Sequence, residues 1–432
     1  MTASPHAIRH VRVTPIAFRD PPLLNAAGIH EPWALRSIIE IETASGLVGI
    51  NESYGDQPML DALAQAAPAL RGLSPWALNE MEARVAALVA PPVQTRSEFL
   101  AQQVSLAPGT HVSKTVAKVV SAFEVAMLDL QGQLANAPVV DLLGGAARTH
   151  VPYSAYLFYK YAEHIERPYA PDPWGEALTP GHLVAQARRM IDLYGFQSIK
   201  LKAGALAPEQ EAAGILALAQ AFPGTPLRID PNANWSVATS LEIVARLRGV
   251  LEYYEDPAPG LEGMAAVARA CDVPLATNMV VTDFAEFRRN ADMGCPVKIV
   301  LSDHHYWGGL RATQRLSTLC STFGLGLSMH SNSHLGVSLV AMTHLCASVP
   351  LLTYACDTHY PWQDDEVVQG GRLRFEQGSL RVPTAPGLGV TLDRQALARL
   401  HDNYLRCGIR NRDDLAQMRK YDPAFTGRQP RF

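Results

Sequence analysis

Two textures divide this chain. In the first part, "RVTPIAF" (12–18) and "LRSIIEIETASGLVGINES" (35–53) alternate apolar and polar positions with the period of two that marks strands. Ser45-Gly46 places a turn inside the longer run, which therefore reads as a strand pair. Helical patterns follow at about 57–71, 75–90 and 115–136. The last contains "SAFEVAMLDLQGQLA", in which Phe123, Ala126, Met127 and Leu130 line one face. From about residue 150 the pattern becomes short apolar runs, each ended by a polar residue, with helical stretches between them.

Those polar ends are Lys202, Asp230, Glu255, Asn278, Asp303, His330 and Asp357, spaced 28, 25, 23, 25, 27 and 27 residues apart. One βα unit takes about that length. With "VPYSAYLF" (151–158) in front, the runs make eight strands, the number that closes a barrel, and such barrels carry their chemistry at the C-terminal strand ends. An open doubly wound sheet is the alternative, but open sheets seldom put a polar group at every strand end. The tail from about 376, with "GLGVTLD" and a helix near 394–406, returns to mixed structure and is expected to pack on the first domain. The organisation expected is 1–148, 149–375 and 376–432.

Composition narrows the class. With 432 residues, 48% of them hydrophobic and 18% charged, the chain has ample length for a large core. A net charge of -4 offers no case for nucleic acid or an anionic membrane surface. The six cysteines are scattered without a CxxC pair, as expected of reduced core thiols in a cytoplasmic protein. The N-terminus shows no apolar signal region, and no apolar run approaches the roughly 18 residues of a membrane helix.

The strand ends carry the chemistry. Asp230, Glu255 and Asn278 end three successive strands, and an oxygen-only set suits Mg2+, with Mn2+ as the alternative, rather than zinc. Taken singly, Asp230-Pro231 and Asp256-Pro257 read as turns. Glu262 competes with Glu255, which is preferred because it sits at the strand end. Asp303 and His330 end the next two strands, and a carboxylate on one imidazole nitrogen orients the ring and raises its basicity.

In "SIKLKAG" (198–204), Lys200 and Lys202 share one strand face. A free lysine has a pKa of about 10.4, and a useful base needs roughly 7–8, a gap of about 4 kcal/mol. A unit charge at about 4 Å contributes about that much at an effective dielectric near 20. A second lysine and a divalent cation would thus make Lys202 a base, while Lys200 stays charged and binds an anionic substrate group. A metal, a lysine base and a His–Asp dyad together suit removal of a proton α to a carboxylate, with the enediolate charge stabilised by the metal and Lys200.

These residues resemble the glucarate dehydratase subgroup of the enolase superfamily. "IKLKAG" is similar to its Lys-x-Lys motif, "DPNANW", "YYEDP" and "ATNM" to its metal-ligand strand ends, and "MHSNSH" and "CDTHYPWQ" to its catalytic His segment and the strand after it. "LLNAAGIHEPWALR", "PGLGV" and "NRDD" extend the resemblance over nearly the whole chain. The resemblance implies an α/β fold: a modified TIM barrel, (β/α)7β, with an N-terminal α+β capping domain completed by the C-terminal segment. It implies Lys202 as base on one face and His330, paired with Asp303, as acid/base on the other. It places substrate contacts on Asn25, His30, Thr115, Tyr156, Lys200, Asn232, Asn332, His359 and Arg412. Residues 20–30 are expected to form a mobile lid that excludes water. The stretches "SKTVAK" around Thr115 and 160–178 depart from the family pattern and would touch the distal end of a substrate.

The activity implied is a Mg2+-assisted hydro-lyase on an acid sugar, D-glucarate giving 5-keto-4-deoxyglucarate. Dehydration of an aldonate such as L-lyxonate is the alternative, as is an epimerase or racemase using the same two bases. A lysine Schiff-base aldolase would need no metal, a zinc amidohydrolase would show His-x-His at the first strand, and a non-catalytic relative would have lost a strand-end group. The partner expected is a small acid sugar, without nucleic acid or membrane, in a homo-oligomer.

Overall fold

The structure, a computed structural model, describes residues 5–89, 112–166 and 172–432. Strands β1 (Ile8–Arg19), β2 (Trp33–Thr43) and β3 (Val48–Tyr54) form an antiparallel sheet in the order β1-β2-β3. Helices α1 (Gln57–Ala66) and α3 (Thr115–Ala135) pack on it, and α2 (Leu78–Leu88) packs on those two helices. The first is shorter than its pattern predicts. Pro68 lacks the N–H that an α-helix needs, and residues Ala67–Leu70 tighten into a 3-10 turn. The helix pattern at 75–90 starts at Leu78, and its last residue lies outside the described residues.

Helix α3 also departs from expectation. Residues 118–132 are buried on every side, not along one stripe. The helix is wedged between the capping sheet and the barrel, so its polar residues pair inside: Glu124 accepts the Leu310 N–H at 2.6 Å, and Asp129 accepts those of Ile50 (2.9 Å) and Leu388 (2.7 Å).

The second unit is a βα barrel. Strands β4 (Ala155–Phe158), β5 (Ile199–Lys202), β6 (Leu227–Asp230), β7 (Leu251–Glu255), β8 (Leu275–Thr277), β9 (Ile299–Ser302) and β10 (Gly326–Met329) run parallel, each beside the next in sequence. Residues 353–357 close the ring. Thr353 and Asp357 donate to Leu327 and Met329 of β10, while Ser154 donates to the Cys356 carbonyl and Cys356 to that of Pro152, just before β4. The front half of the 151–158 run is not barrel: His150–Pro152 pairs antiparallel with Ser379–Arg381.

Helices α4 (Pro180–Tyr194), α5 (Pro208–Ala221), α6 (Val237–Arg246), α7 (Gly260–Ala268), α8 (Phe284–Asp292), α9 (Leu310–Thr322) and α10 (Gly336–Ser348) connect the strands. Local chemistry sets their ends. In α4, the Thr179 hydroxyl accepts the His182 N–H, Pro180 opens the first turn, and Gly195 closes the helix in the left-handed region. Alternation in the strands sorts the side chains: Ile199, Leu201, Ile229, Tyr254 and Val300 join the core under the helices, whereas Tyr253, Ala276, Ile299 and Leu301 form a separate cluster within the barrel. Lys200, Lys202, Arg228, Asp230 and Glu255 share the inward register.

The C-terminal segment returns to the cap. Helix α11 (Arg394–Cys407) packs on β1, with Arg394 Nη1 2.5 Å from Glu40 Oε1. Helix α12 (Asp414–Tyr421) lies against Gly28–Ile29. Gly28 is required there, since a Cβ would fall inside van der Waals contact of the Asp414 carbonyl. Among the described residues no helix is long and apolar enough to cross a membrane. All six cysteines are free; three are buried and three half-buried.

Candidate active site

The parallel register of β5 and β6 sets Lys202 beside Asp230, and their charged groups meet at 2.6 Å. Lys200, two residues earlier, lies one layer deeper and is fully buried. Its ammonium is 2.6 Å from Asp357 Oδ2 and 2.5 Å from Glu255 Oε2, over the Tyr156 ring. Burial opposes its charge, but Asp357 and Glu255 more than offset that, and the group is held well above the ordinary lysine range. Lys202 lines the cavity above and Lys200 does not. Lys200 thus stands behind the cavity wall as the counter-ion of Asp357 and Glu255. A strand that alternates faces also descends, and the first lysine lands under the floor among carboxylates.

Around these lysines the strand ends concentrate acid. Asp230, Glu255 and Asp256 offer oxygens within 4.8 Å of one another. With Asp357, four buried carboxylates face two ammonium groups, Lys200 and Lys202, a formal surplus of two negative charges. The surplus shows in the acidities. Burial and the charge of Asp230 push Glu255 well above the carboxylate range, and burial with Asp230 pushes Asp256 to about 7. Asp230 itself is held down, because Lys202 and Lys200 outweigh its burial. Neither oxygen of Glu255 accepts a hydrogen bond in good geometry, and Asn278 Oδ1 has no donor. A buried oxygen cluster with a double negative surplus and orphaned acceptors fits a hard divalent cation. Asp256 uses its oxygens differently, accepting from the Thr277 hydroxyl and, at 3.0 Å, from the Asn278 N–H. Glu262 drops out as a competitor, since it is exposed and paired with Arg289.

The imidazole side is more elaborate than a dyad. His330 Nδ1 faces Asp303 Oδ2 at 3.3 Å, but the shorter bond of Asp303 runs from Oδ1 to His305 Nδ1 at 2.7 Å. Asp303 also caps the helical turn His304–Trp307 by accepting the His305 N–H. Asp303 raises the basicity of His330 as expected, but burial outweighs it and holds the ring below the ordinary imidazole value.

The cap closes the barrel mouth over a cavity of about 260 Å³. Its walls include Lys202, Asn232, Asn278 and His330 from the barrel, with Asn25, His30, Tyr156, Asn332, His359 and Arg412 around them. Asn332 Nδ2 donates to the Tyr54 hydroxyl at 3.0 Å, and His359 Nδ1 meets Ser331 Oγ at 3.0 Å. Asp230, Glu255 and Asp303 stand behind this lining, and Thr115, at the start of α3, is not part of it. Residues 90–111 before it lie outside the described residues, as do 167–171 of the 160–178 stretch. The described part of that stretch is tied both to itself and to its surroundings: Lys160 pairs with Asp172 at 2.9 Å, His164 Nε2 meets the Asp20 carbonyl at 2.9 Å, Glu166 pairs with Lys420 at 2.8 Å, and Trp174 packs on Trp362.

Residues 20–30 hold the cap end. Nearly all are buried. Asn25 Nδ2 donates to Asp414 Oδ2 at 2.7 Å, and Asp20 accepts from His30, Ser333 and Gln363. Arg412 is clamped by both oxygens of Asp414 at 2.7 and 2.6 Å. Sequence reasoning missed Arg36, Tyr54 and Asp56 of the cavity wall, which come from the capping strands and the turn after them, and it missed His305. Asp357 was legible as a strand end, but its role as the Lys200 counter-ion was not.

Comparison with known proteins places these features in context. Residues 10–144 match the family model for the mandelate racemase / muconate lactonizing enzyme N-terminal domain, and 182–396 match the model for the enolase C-terminal domain-like family. A probable glucarate dehydratase of Streptomyces coelicolor is 50% identical over 425 residues, 97% of either chain. An enolase of Pseudomonas fluorescens, solved with bound magnesium, potassium and tartrate, is 58% identical with a TM-score of 0.94, covering 98% of this chain and 99% of that one. An enolase of Mycobacterium smegmatis complexed with tartrate is 52% identical with a TM-score of 0.93 and covers 100% of both.

Proposed function

We propose that this chain, which belongs to the mandelate racemase/muconate lactonizing enzyme family of the enolase superfamily, removes water from an acid sugar, with D-glucarate as its substrate and Mg2+ as its metal. The observation that carries this reading is a lysine and an imidazole on the wall of one cavity, beside a buried cluster of oxygens with a formal surplus of negative charge. Asp230, Glu255 and Asn278 would hold the cation, which supplies Lewis-acid stabilisation of the negative charge that develops on the substrate carboxylate.

The side chains do the rest. Lys202 takes the proton α to the carboxylate from one face, with Asp230 holding its ammonium in place between turnovers. His330 presents its Nε2 edge from the other direction: it takes the α proton of the epimer that faces it and returns that same proton to the departing β-hydroxyl, and for the epimer that Lys202 deprotonates it delivers a proton drawn beforehand from solvent. Without that proton the leaving group is hydroxide, and general acid help typically contributes about 100- to 10,000-fold. Asn232 and Asn332 supply amide donors for hydroxyls. Arg412 and its clamp Asp414 line the cap end of the cavity, where the distal end of a substrate would lie; the choice of an aldarate over an aldonate such as L-lyxonate rests on the 50% identical probable glucarate dehydratase.

The test is a panel of aldarates and aldonates with Mg2+, followed for keto product, together with deuterium wash-in from D2O for each C5 epimer. Lys202→Ala should lose exchange with one epimer, and His330→Ala should lose exchange with the other and all dehydration. Near wild-type dehydration by His330→Ala would end the reading. Exchange of both epimers without keto product would favour an epimerase, the second reading that two opposed bases support.

A further inference from the structure

The geometry points to Arg36 and His305 as positioning residues that lock the protonation form of the His330–Asp303 dyad from the capping domain. The inference rests on the reading of His330 as acid/base. Arg36 lies on β2, and its Nη2 is 2.8 Å from His305 Nε2. A guanidinium only donates and does not lose its proton. His305 Nε2 must therefore carry a lone pair, and the ring proton must sit on Nδ1. That proton points at Asp303 Oδ1, 2.7 Å away. Asp303, accepting on Oδ1 from both the His305 ring and the His305 N–H, is left with Oδ2 for His330 Nδ1. His330 then donates from Nδ1 and presents an unprotonated Nε2. One fixed charge on the cap thus sets the His305 tautomer and, through the Asp303 oxygen that His305 takes, the oxygen left to His330 Nδ1.

Each member is buried, so none of these choices is set by water. Arg36 is itself fixed by Glu52 at 3.1 Å, whose two oxygens accept the Leu335 and Ser338 N–H groups at the start of α10. The groups facing His305 are Arg36 and the Tyr54 ring from the cap, Asp303 and the stacked His304 from its own turn, the Ser338 hydroxyl from α10, and His334 from the loop after β10. Asp303, His304 and His305 also lie within reach of a single ion. The guanidinium already occupies the His305 lone pair, and a cation beside it would be repelled, so the cluster serves the dyad instead.

The first experiment uses the wild-type chain, labelled with 15N-histidine. Two-bond 15N–1H correlations between pH 6 and 8, assigned by the signals lost in His305→Asn, should show His305 neutral with its proton on Nδ1. A proton on Nε2, or a doubly protonated ring at pH 7, overturns the inference. The second is the ratio of exchange at the His330 face to that at the Lys202 face. His305→Phe should lower it by on the order of 100-fold, as misalignment of a reacting group does. The acid limb of His330-face exchange should move to higher pH, because Asp303 loses a donor and holds the His330 proton more tightly. His305→Asn, whose amide can donate to Asp303 from the same position, should recover most of the ratio. A His305→Phe ratio and pH limb like those of the wild type would also overturn it. Failure of the underlying reading looks different: His330→Ala would keep its exchange whatever the form of His305.

Discussion

Replacing Lys200 separates a buried counter-ion from a substrate ligand. Lys200→Met keeps the length of the stem and deletes the charge, leaving Asp357 and Glu255 without their ammonium at 2.6 and 2.5 Å. Breaking a buried pair by removing one partner typically costs about 3–5 kcal/mol. For 432 residues at about 2.1 cal/mol/K each, the unfolding entropy is about 0.9 kcal/mol/K, so the thermal midpoint should fall by about 3–5 °C. Asp357→Asn in the same chain removes one stranded charge and should return about 1–3 kcal/mol, a coupling of the size seen for contacting groups. The assay is calorimetric melting of wild type, both single variants and the double variant in chelator, with steady-state kinetics in Mg2+. Because the ammonium does not reach the cavity, kcat should fall more than KM rises. A midpoint within about 1 °C of wild type combined with a KM raised about 100-fold would refute the assignment and restore Lys200 as a direct substrate ligand.

Asp230→Asn should weaken Mg2+ binding in titration calorimetry by more than the roughly 10- to 100-fold typical of an outer partner, with an unchanged far-ultraviolet spectrum. Gly28→Ala should push the 20–30 segment off Asp414 at about 1–3 kcal/mol, raising KM about 10-fold or more and exposing the segment to protease. Burial holds His344 down at about 4, below an unfolded value near 6.5, so the folded chain refuses a proton that the unfolded chain takes. Its contribution is complete above pH 6.5 and is lost as pH falls to about 4, on the order of 3 kcal/mol in all. His344→Gln should flatten that part of the stability–pH curve measured by denaturant unfolding.

Much of the barrel was legible because its signals are local. A strand alternates with period two, a helix repeats near 3.6, and a polar residue at each apolar run's end announces itself without a partner. Lys202, Asp230, Glu255, Asn278, Asp303, His330 and Asp357 were found in that way, and all seven are buried at the strand ends. The α3 helix was read as one-sided because Phe123, Ala126, Met127 and Leu130 make a stripe; the polar Glu124 and Asp129 hid the fact that their partners, Leu310 and Leu388, lie far along the chain.

The sequence by itself therefore determined the element types, the (β/α) repeat, and the kind of chemistry at each strand end, since these depend on neighbours a few residues away. The tertiary structure decided how those groups are spent. It sank Lys200 beneath the floor, turned Asp256 towards Thr277 and Asn278, gave the shorter bond of Asp303 to His305, and brought Arg36, Tyr54 and Arg412 over the barrel mouth from segments far along the chain. Depth, hydrogen-bond partners and the balance of buried charge arise from distances in space, and Coulomb and desolvation energies vary steeply over a few ångströms that no spacing along the chain encodes.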